Sequence, residues 1–243
     1  MKTPSPEAPS NRVLASLSPK DAARLSPSLK TVYLKKGHMI FDVGDEIEHV
    51  YFPHSGVISL LSVMRNGDSV EMAAVGREGV VSAMADVGLQ ISLTRAVVQA
   101  PLVASRIAVA PFRTALDASE VLRNLVVRWN EVLLAQVFVT AACNALHPIE
   151  ARIARRLLQA GDRTDDDVIP LTQQFLSEIL AVRRSSVSEI AGRLLAGGVI
   201  RYRRGTIEIV DRSRLLGAAC ECYQSILEAY ARLGSADGRG NAF

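Results

Sequence analysis

The pattern of apolar and polar positions changes along the chain, and the first region predicts β-structure. Between Thr31 and Ile107, short β-branched runs are separated by glycines at intervals of roughly ten residues, which is typical of antiparallel strands in a barrel or jelly roll. The clearest hairpin joins residues 57–64 to residues 69–75 through Asn66-Gly67. We predict a type I′ turn there, because asparagine and glycine readily adopt its positive φ angles.

A long helix is predicted next, from about Glu120 to Leu146. Its apolar residues recur every three or four positions, close to a heptad seam. A helix of about 27 residues spans about 40 Å, which is too long for one small β domain to cover. We therefore expect a dimer interface; the alternative is a helix that lies along its own barrel. The predicted interface residues are Leu122, Leu125, Val126, Trp129, Leu133 and Val137.

The helix should end near Pro148, because a residue before proline is disfavoured in the α region. His147 then belongs to a hinge. A further helix follows from Ile149 to Ala160, and residues 161–167 form an acidic loop.

Residues 171–210 predict a helix, a tight turn, a second helix and a β-hairpin. The first helix begins after Thr172, whose hydroxyl suits an N-cap. The second runs from Arg183 to Leu195 and stops at Gly197-Gly198, where a left-handed C-cap suits glycine. Strands on either side of Gly205 form the hairpin. This order is that of a winged helix-turn-helix.

The outer face of the second helix and the arginines of the hairpin have the chemistry of a DNA reader. Short polar side chains and an arginine near a helix N-terminus reach base edges in the major groove, and hairpin arginines reach phosphates. Glu189 either accepts from a cytosine amino group or orients Arg184 or Arg193. The alternative is an ordinary helical pair with a solvated basic turn. The predicted DNA-binding residues are Thr172, Arg183, Arg184, Ser185, Ser188, Glu189, Arg201, Arg203 and Arg204.

Composition adds limited information. A net charge of +3 permits nucleic-acid binding without requiring it. The expected location is cytoplasmic, with no membrane partner, because no uninterrupted apolar run reaches about 18 residues and the start lacks a signal-peptide core. Cys143, Cys220 and Cys222 follow no disulfide pattern. The Cys220-x-Cys222 spacing is tight for zinc and no second pair is evident, so free thiols and no metal are expected.

The order of a β-roll, a long helix, a hinge and a winged helix-turn-helix resembles the CRP/FNR superfamily of bacterial transcription regulators. The resemblance implies an α+β fold with an effector domain over residues 12–118, a dimerisation helix over 119–146 and a DNA-binding domain over 147–233. It also implies a homodimer on a two-fold-related site in double-stranded DNA, with RNA polymerase as a further partner. Arg184 corresponds to a guanine-contacting arginine of the family, and Ala181 replaces a glycine that is frequent in the turn.

The segment from Gly76 to Gly79, leading into a predicted helical turn at Val80–Met84, resembles the family's phosphate-binding cassette. The resemblance implies that Gly76, Glu78, Gly79 and Arg95 bind an effector, with backbone amides on an anion and Glu78 on a ribose hydroxyl. Ala96 replaces the small hydroxyl residue that follows this arginine in cyclic-AMP binders, which argues against specific cyclic-AMP binding. The alternative is an ion pair between Glu78 and Arg95.

Other functions lack the residues they need. An iron-sulfur cluster needs about four cysteine ligands and a haem needs a well-placed ligand, so neither cofactor is expected. The sequence has no Ser-His-Asp, HExxH or Walker signature, which argues against an enzyme. The remaining alternative is a ligand-binding module that controls a protein partner. Residues from Arg212 to Leu233 predict one amphipathic helix that packs on the winged domain.

Overall fold

The chain forms two compact units. A computed structural model describes residues 11–85, 90–164, 168–203 and 205–235. Of the described residues, the first unit comprises those up to Ser59 together with Ala74–Glu131, and the second comprises Leu60–Ala73 together with those from Val132 to residue 235. The long helix contributes to both units, so the predicted three-domain limits stay a prediction. Arg204, one of the predicted DNA-binding residues, lies outside the described residues.

The first half of the chain forms an antiparallel sheet flanked by short helices, which confirms the predicted β-roll. The strand order is β1-β5-β3-β4, and β2 also pairs with β5. Val50, Phe52, Ile58, Val98 and Ile107 are among its buried apolar residues. The elements are α1 (Arg12–Ala15), α2 (Pro19–Leu25), a 3-10 turn (Ser26–Ser28), β1 (Lys30–Leu34), β2 (Met39–Phe41), β3 (His49–Val63), β4 (Ser69–Val75), β5 (Arg95–Ala108) and α3 (Val109–Asp117).

The turn between β3 and β4 differs from the predicted type I′ turn. Gly67 has a positive φ of 89°, but Asn66 does not. The Asn66 side chain instead accepts a hydrogen bond from the Asp68 amide at 3.1 Å, and the Gly67 amide donates to the Met64 carbonyl at 3.0 Å. These bonds fit a three-residue loop that ends in a left-handed glycine, another common hairpin connection.

The long helix α4 spans Glu120–Leu146, with the predicted bounds. Its first turns bury Leu122, Leu125, Val126 and Trp129, each with 3% exposure or less. These four predicted interface residues are thus core residues of their own chain.

The second half of the chain is helical with a small sheet, and it contains the predicted winged helix-turn-helix. A strand that the sequence analysis missed, β6, extends the hairpin to a three-stranded sheet of order β6-β8-β7. The single predicted C-terminal helix is two helices, because Ala219 is extended and ends α8. The elements are α5 (Ile149–Thr164), β6 (Val168–Ile169), α6 (Gln173–Leu180), α7 (Arg184–Ala196), β7 (Ile200–Arg203), β8 (Thr206–Ile209), α8 (Arg212–Ala218) and α9 (Cys222–Ser235).

Candidate nucleic-acid interface and effector cassette

The turn between α6 and α7 is fixed by backbone geometry and local hydrogen bonds. Thr172 caps α6, as predicted, by accepting from the Phe175 amide at 3.1 Å. Ala181 is left-handed, with φ 51° and ψ 48°. A left-handed alanine costs roughly 1 kcal/mol, because its Cβ approaches the following carbonyl. Arg152 on α5 donates to the Leu180 carbonyl at 2.6 Å, which satisfies one acceptor at the end of α6.

Helix α7 has one buried face and one exposed polar face. Val187, Ile190, Ala191 and Leu194 are buried on the first of these. The predicted reading residues Arg183, Arg184, Ser185, Ser188 and Glu189 are all exposed. Their position over the first turns of the helix is where a recognition helix meets base edges.

Glu189 has a partner on its own helix. It accepts from Arg193 at 2.7 Å, and the other guanidinium nitrogen of Arg193 reaches Glu150 at 2.7 Å. Hydrogen bonds from Arg193 to Glu150 and Glu189, and the charges of both carboxylates, raise the Arg193 pKa. Of the predicted alternatives, the structure thus places Glu189 against Arg193.

The two described arginines of the hairpin, Arg201 and Arg203, are exposed and share one carboxylate. Arg201 lies opposite Glu208 in the hairpin register, with a closest distance of 3.4 Å. Arg203 approaches the same carboxylate at 3.1 Å. About half or more of each arginine side chain is exposed, so both can turn to a phosphate.

The cassette is closed by bonds within the chain. The Gly76 amide donates to the Glu78 carboxylate at 3.1 Å, and the Gly79 amide donates to the Gly76 carbonyl at 3.2 Å. Val80–Met84 form turns and a bridge instead of the predicted helical turn. The backbone donors at Gly76 and Gly79 that the resemblance assigns to an anion are therefore already used.

Arg95 forms its ion pair with Asp42. The predicted alternative, an ion pair between Arg95 and Glu78, is therefore wrong. Its two nitrogens donate to the two Asp42 oxygens at 2.9 and 2.7 Å. This bidentate geometry is the strong form of an arginine–carboxylate contact. The hydrogen bond from Arg95 and that from the Val43 amide lower the Asp42 pKa.

Trp129 of α4 covers the cassette. Its indole nitrogen donates to the Val80 carbonyl at 2.7 Å. A side chain in place of Gly79 would collide with the indole ring. Glu78, Val80 and Val81 are also buried. The space over the cassette backbone is therefore filled by the side chain of Trp129, one of the predicted dimer-interface residues.

A second stripe on α4 is exposed. Val127, Leu134 and Phe138 are exposed apolar residues, and they repeat at seven- and four-residue intervals. Ala141 and Ala145 continue this spacing and are also exposed. Leu133 and Val137, two of the predicted interface residues, are half-buried next to it in the sequence. This stripe has the period of a helix–helix contact.

The length and apolarity of α4 are sufficient for a membrane span. Its most apolar 18-residue window has a mean hydropathy of 1.3, and 33% of that window is buried. The apolar residues of this helix do not form an uninterrupted run of that length, because polar residues interrupt them, including the buried Gln136 and Thr140. The core helix of a protein that does not enter the membrane can have the same length and apolarity.

The three cysteines and His147 come together at the end of α4. One ligand atom from each of the four lies within 4.8 Å of the others. Burial raises the pKa of Cys220, and it raises that of Cys222 to about 12. Burial also acts on Cys143, but the charge of Arg155 and a hydrogen bond with His147 bring its pKa below the ordinary value. Sequence spacing could not reveal this cluster, because Cys143 and Cys220 are 77 positions apart.

Comparisons with known proteins match both halves of the chain. Two family models match: a cyclic nucleotide-binding domain over residues 31–119 and a Crp-like helix-turn-helix domain over residues 151–217. No curated protein matches the sequence.

Solved structures share the fold at low sequence identity. FixK2 from Bradyrhizobium japonicum has 14% identity and a TM-score of 0.69, covering 79% of this chain and 98% of its own. TTHB099, a CRP-family transcriptional regulator from Thermus thermophilus, has 19% identity and a TM-score of 0.66 (79% and 99%). The c-di-GMP responsive global regulator CLP from Xanthomonas campestris has 15% identity and a TM-score of 0.64 (79% and 99%).

Proposed function

The chain belongs to the CRP/FNR superfamily of DNA-binding transcription regulators, and on that premise we propose that it reads DNA as a homodimer without needing a cyclic nucleotide. Its role is then regulation by binding, not catalysis. The observation that carries the proposal is the contrast between an exposed reading face on α7 and a cassette whose polar groups are bonded within the chain.

DNA reading rests on the exposed polar face of α7 and on the wing. Arg184 can hydrogen-bond O6 and N7 of guanine together, and Ser185 and Ser188 can bond to either base edges or phosphates. Arg201 and Arg203 approach the phosphates, and each exchanges its contact with Glu208 for one with DNA. The Crp-like helix-turn-helix match favours this reading over control of a protein partner.

The dimer contact lies on the exposed stripe of α4. Leu122, Leu125, Val126 and Trp129 are buried in their own chain and are not available to a second copy. Val127, Leu134 and Phe138 are available, and the small Ala141 and Ala145 allow two helices to approach closely. Two copies related by a two-fold axis would cover these stripes with each other and present two α7 helices to successive half-sites.

The closed cassette supports ligand-independent binding. A nucleotide phosphate at Gly76–Gly79 would have to displace the internal hydrogen bonds of Gly76 and Gly79, and its base or sugar would compete with the Trp129 indole. Breaking such bonds without full replacement costs free energy, because buried donors lose their partners.

Location and further partners follow from this role. A regulator that reads promoter DNA works in the cytoplasm of a bacterium, close to RNA polymerase, and we propose both for this chain. The apolarity of α4 is then explained by its buried stripe and by the dimer contact, not by a membrane.

The dimer is tested with Phe138→Asp. We expect a monomer in analytical ultracentrifugation. We also expect the affinity for a palindromic duplex to fall by about 100-fold or more, because two linked DNA-binding domains bind more tightly than one. Val121→Asp is the matched control: Val121 has nearly the same exposure on the same helix, 63% against 64%, but lies about 100° around the axis from Phe138. A dimeric Phe138→Asp protein with full affinity would overturn this interface.

A further inference from the structure

We propose that Cys143, His147, Cys220 and Cys222 form a binding site for one Zn²⁺ ion. Cys143 lies in the last turn of α4 and His147 directly follows that helix, whereas Cys220 precedes α9 and Cys222 begins it. The four ligand atoms lie within 4.8 Å of one another. Three cysteines and one histidine are an established ligand set for structural zinc. The site therefore joins the hinge to the C-terminal helices.

The spacing of the ligand atoms fits a single tetrahedral ion. With zinc–sulfur bonds of about 2.3 Å and zinc–nitrogen bonds of about 2.0 Å, tetrahedral geometry places two sulfurs roughly 3.8 Å apart and sulfur and nitrogen roughly 3.5 Å apart. The Sγ atoms of Cys143 and Cys220 are 3.5 Å apart. The Cys222 Sγ atom is 3.5 Å from His147 Nδ1. Small movements would complete the coordination.

His147 has the orientation of a metal ligand. Its Nδ1 atom faces the cysteines, and its Nε2 atom lies 3.1 Å from a Glu221 oxygen. In metal sites the second ring nitrogen of a histidine almost always donates to a carboxylate, a carbonyl or water, which fixes the tautomer and raises ligand basicity. Glu221, between the two cysteine ligands, is suited to this positioning role.

The charge around the cluster suits thiolates. Zn²⁺ with three thiolates and a neutral imidazole has one net negative charge. Arg152 and Arg155, both buried on α5, lie close enough to Cys143 for an electrostatic interaction. The Nε atoms of both arginines have no hydrogen-bond partner among the described residues. Buried cations beside neutral thiols would lack compensation, whereas beside a zinc–thiolate centre they balance its charge.

The same distances argue against an iron-sulfur cluster. In a [2Fe–2S] cluster, two irons and bridging sulfides separate the protein ligands of one iron from those of the other. Here all four ligand atoms lie within one ion's reach. The competing outcome is a disulfide between Cys143 and Cys220, whose sulfurs are neighbours.

The test is the metal content of the untagged full-length protein, purified without chelators and measured by elemental mass spectrometry. We expect about one zinc per chain and, after removal with a strong chelator, a melting temperature lower by about 5–10 °C that added Zn²⁺ restores. A protein that holds no zinc and takes up none from stoichiometric Zn²⁺, with its thiols reduced, would overturn the proposal. So would a Cys143–Cys220 disulfide in protein purified with and without reductant.

Variants locate the site. Cys220→Ser and His147→Asn should lower zinc content to about one tenth or less, whereas His38→Asn, an exposed histidine of the β-roll, should leave it unchanged. Glu221→Gln keeps all four ligands and should weaken zinc affinity about 10- to 100-fold. Co²⁺ substitution of the wild type should give thiolate charge-transfer absorption and tetrahedral bands. Zinc retained by both ligand variants, or octahedral cobalt spectra, would contradict the site.

Discussion

The reading face of α7 and the effector cassette of the β-roll both contain polar residues that suit a ligand, but the reading face is exposed and the cassette is covered. On α7, Arg184, Ser185 and Ser188 are exposed, opposite a buried apolar face. In the cassette, Glu78 is buried and accepts from the Gly76 amide, and Trp129 covers the neighbouring backbone. Residue type alone predicts both sites. They differ in whether their polar side chains are exposed to a ligand or buried and bonded within the chain.

The difference follows from what each segment must bury. Helix α7 has a complete apolar stripe, so its other face stays free of packing. The cassette lies between the β-roll and the first turns of α4, and Trp129 satisfies its own indole N–H on the Val80 carbonyl. A large side chain there stabilises the fold and at the same time fills the space over the cassette backbone.

Trp129→Ala gives the largest expected effect, because it removes the cover of the cassette. We expect the free energy of unfolding to fall by about 3–5 kcal/mol, the usual cost of truncating a buried tryptophan. Chemical denaturation followed by circular dichroism measures it. Leu122→Ala, a smaller truncation on the same buried stripe with an expected loss of about 2–5 kcal/mol, serves as the comparison. A change below about 1 kcal/mol for Trp129→Ala would mean that the indole does not close the cassette.

Arg184→Ala tests the open side of the comparison. We expect a loss of about 1–3 kcal/mol in binding to the preferred duplex and relaxed preference at one base pair per half-site, because the substitution removes the proposed bidentate contact with guanine. Quantitative binding to a set of single-base variants of the site measures both. Arg113→Ala, at an exposed arginine of α3 in the β-roll, is the control and should bind like wild type. Unchanged preference in Arg184→Ala would contradict the proposed docking.

Glu208→Gln tests whether the Glu208 carboxylate competes with DNA phosphates for Arg201 and Arg203. Without the charge, Arg201 and Arg203 no longer exchange their contact with Glu208 for one with phosphate, so DNA affinity should rise by up to about fivefold. Fluorescence anisotropy at several salt concentrations measures it. Weaker binding would show that Glu208 positions the arginines for DNA and does not compete with it.

Asp42→Asn has the smallest expected effect. The Asp42 pKa is lowered in the folded protein, so the ion pair with Arg95 contributes stability above the ordinary aspartate pKa and loses it as pH falls through the lower folded value. We expect a loss of at most about 1 kcal/mol at pH 7, because the pair is partly exposed. The difference from wild type should vanish in acid. Urea denaturation at pH 7 and at a pH well below about 4, past the lowered pKa of Asp42, checks this. An equal difference at both pH values would contradict the role of the charge.

Much of the fold could be predicted from the sequence. The bounds of α4 follow from its periodicity and from Pro148, and the cap at Thr172 and the stop near Gly197-Gly198 follow from local residue chemistry. Strand β6 escaped prediction because a strand of two residues has no periodicity. The break between α8 and α9 escaped because both halves carry apolar residues at helical spacing.

The sites were harder to predict, because tertiary contacts decide them. A heptad-like stripe predicts that one face of α4 is buried, but it does not predict whether a second copy or the same chain buries it. Trp129 is buried within its own chain. Arg95 found Asp42, 53 residues away, and not Glu78. The cysteine cluster needed two segments that no spacing rule joins. These contacts join segments that are distant in the sequence, so they cannot be predicted without the fold. The residues of the reading face lie on one helix, so its periodicity is sufficient to predict them.

We propose that this regulator reads DNA with its cassette closed. The most direct test is selection of random duplex DNA by the purified protein at moderate salt, first without ligand and then with cyclic mononucleotides and cyclic dinucleotides. We expect one palindrome to be enriched without ligand, and the same palindrome to be enriched, no more strongly, with each nucleotide. Enrichment that requires a cyclic nucleotide would contradict it.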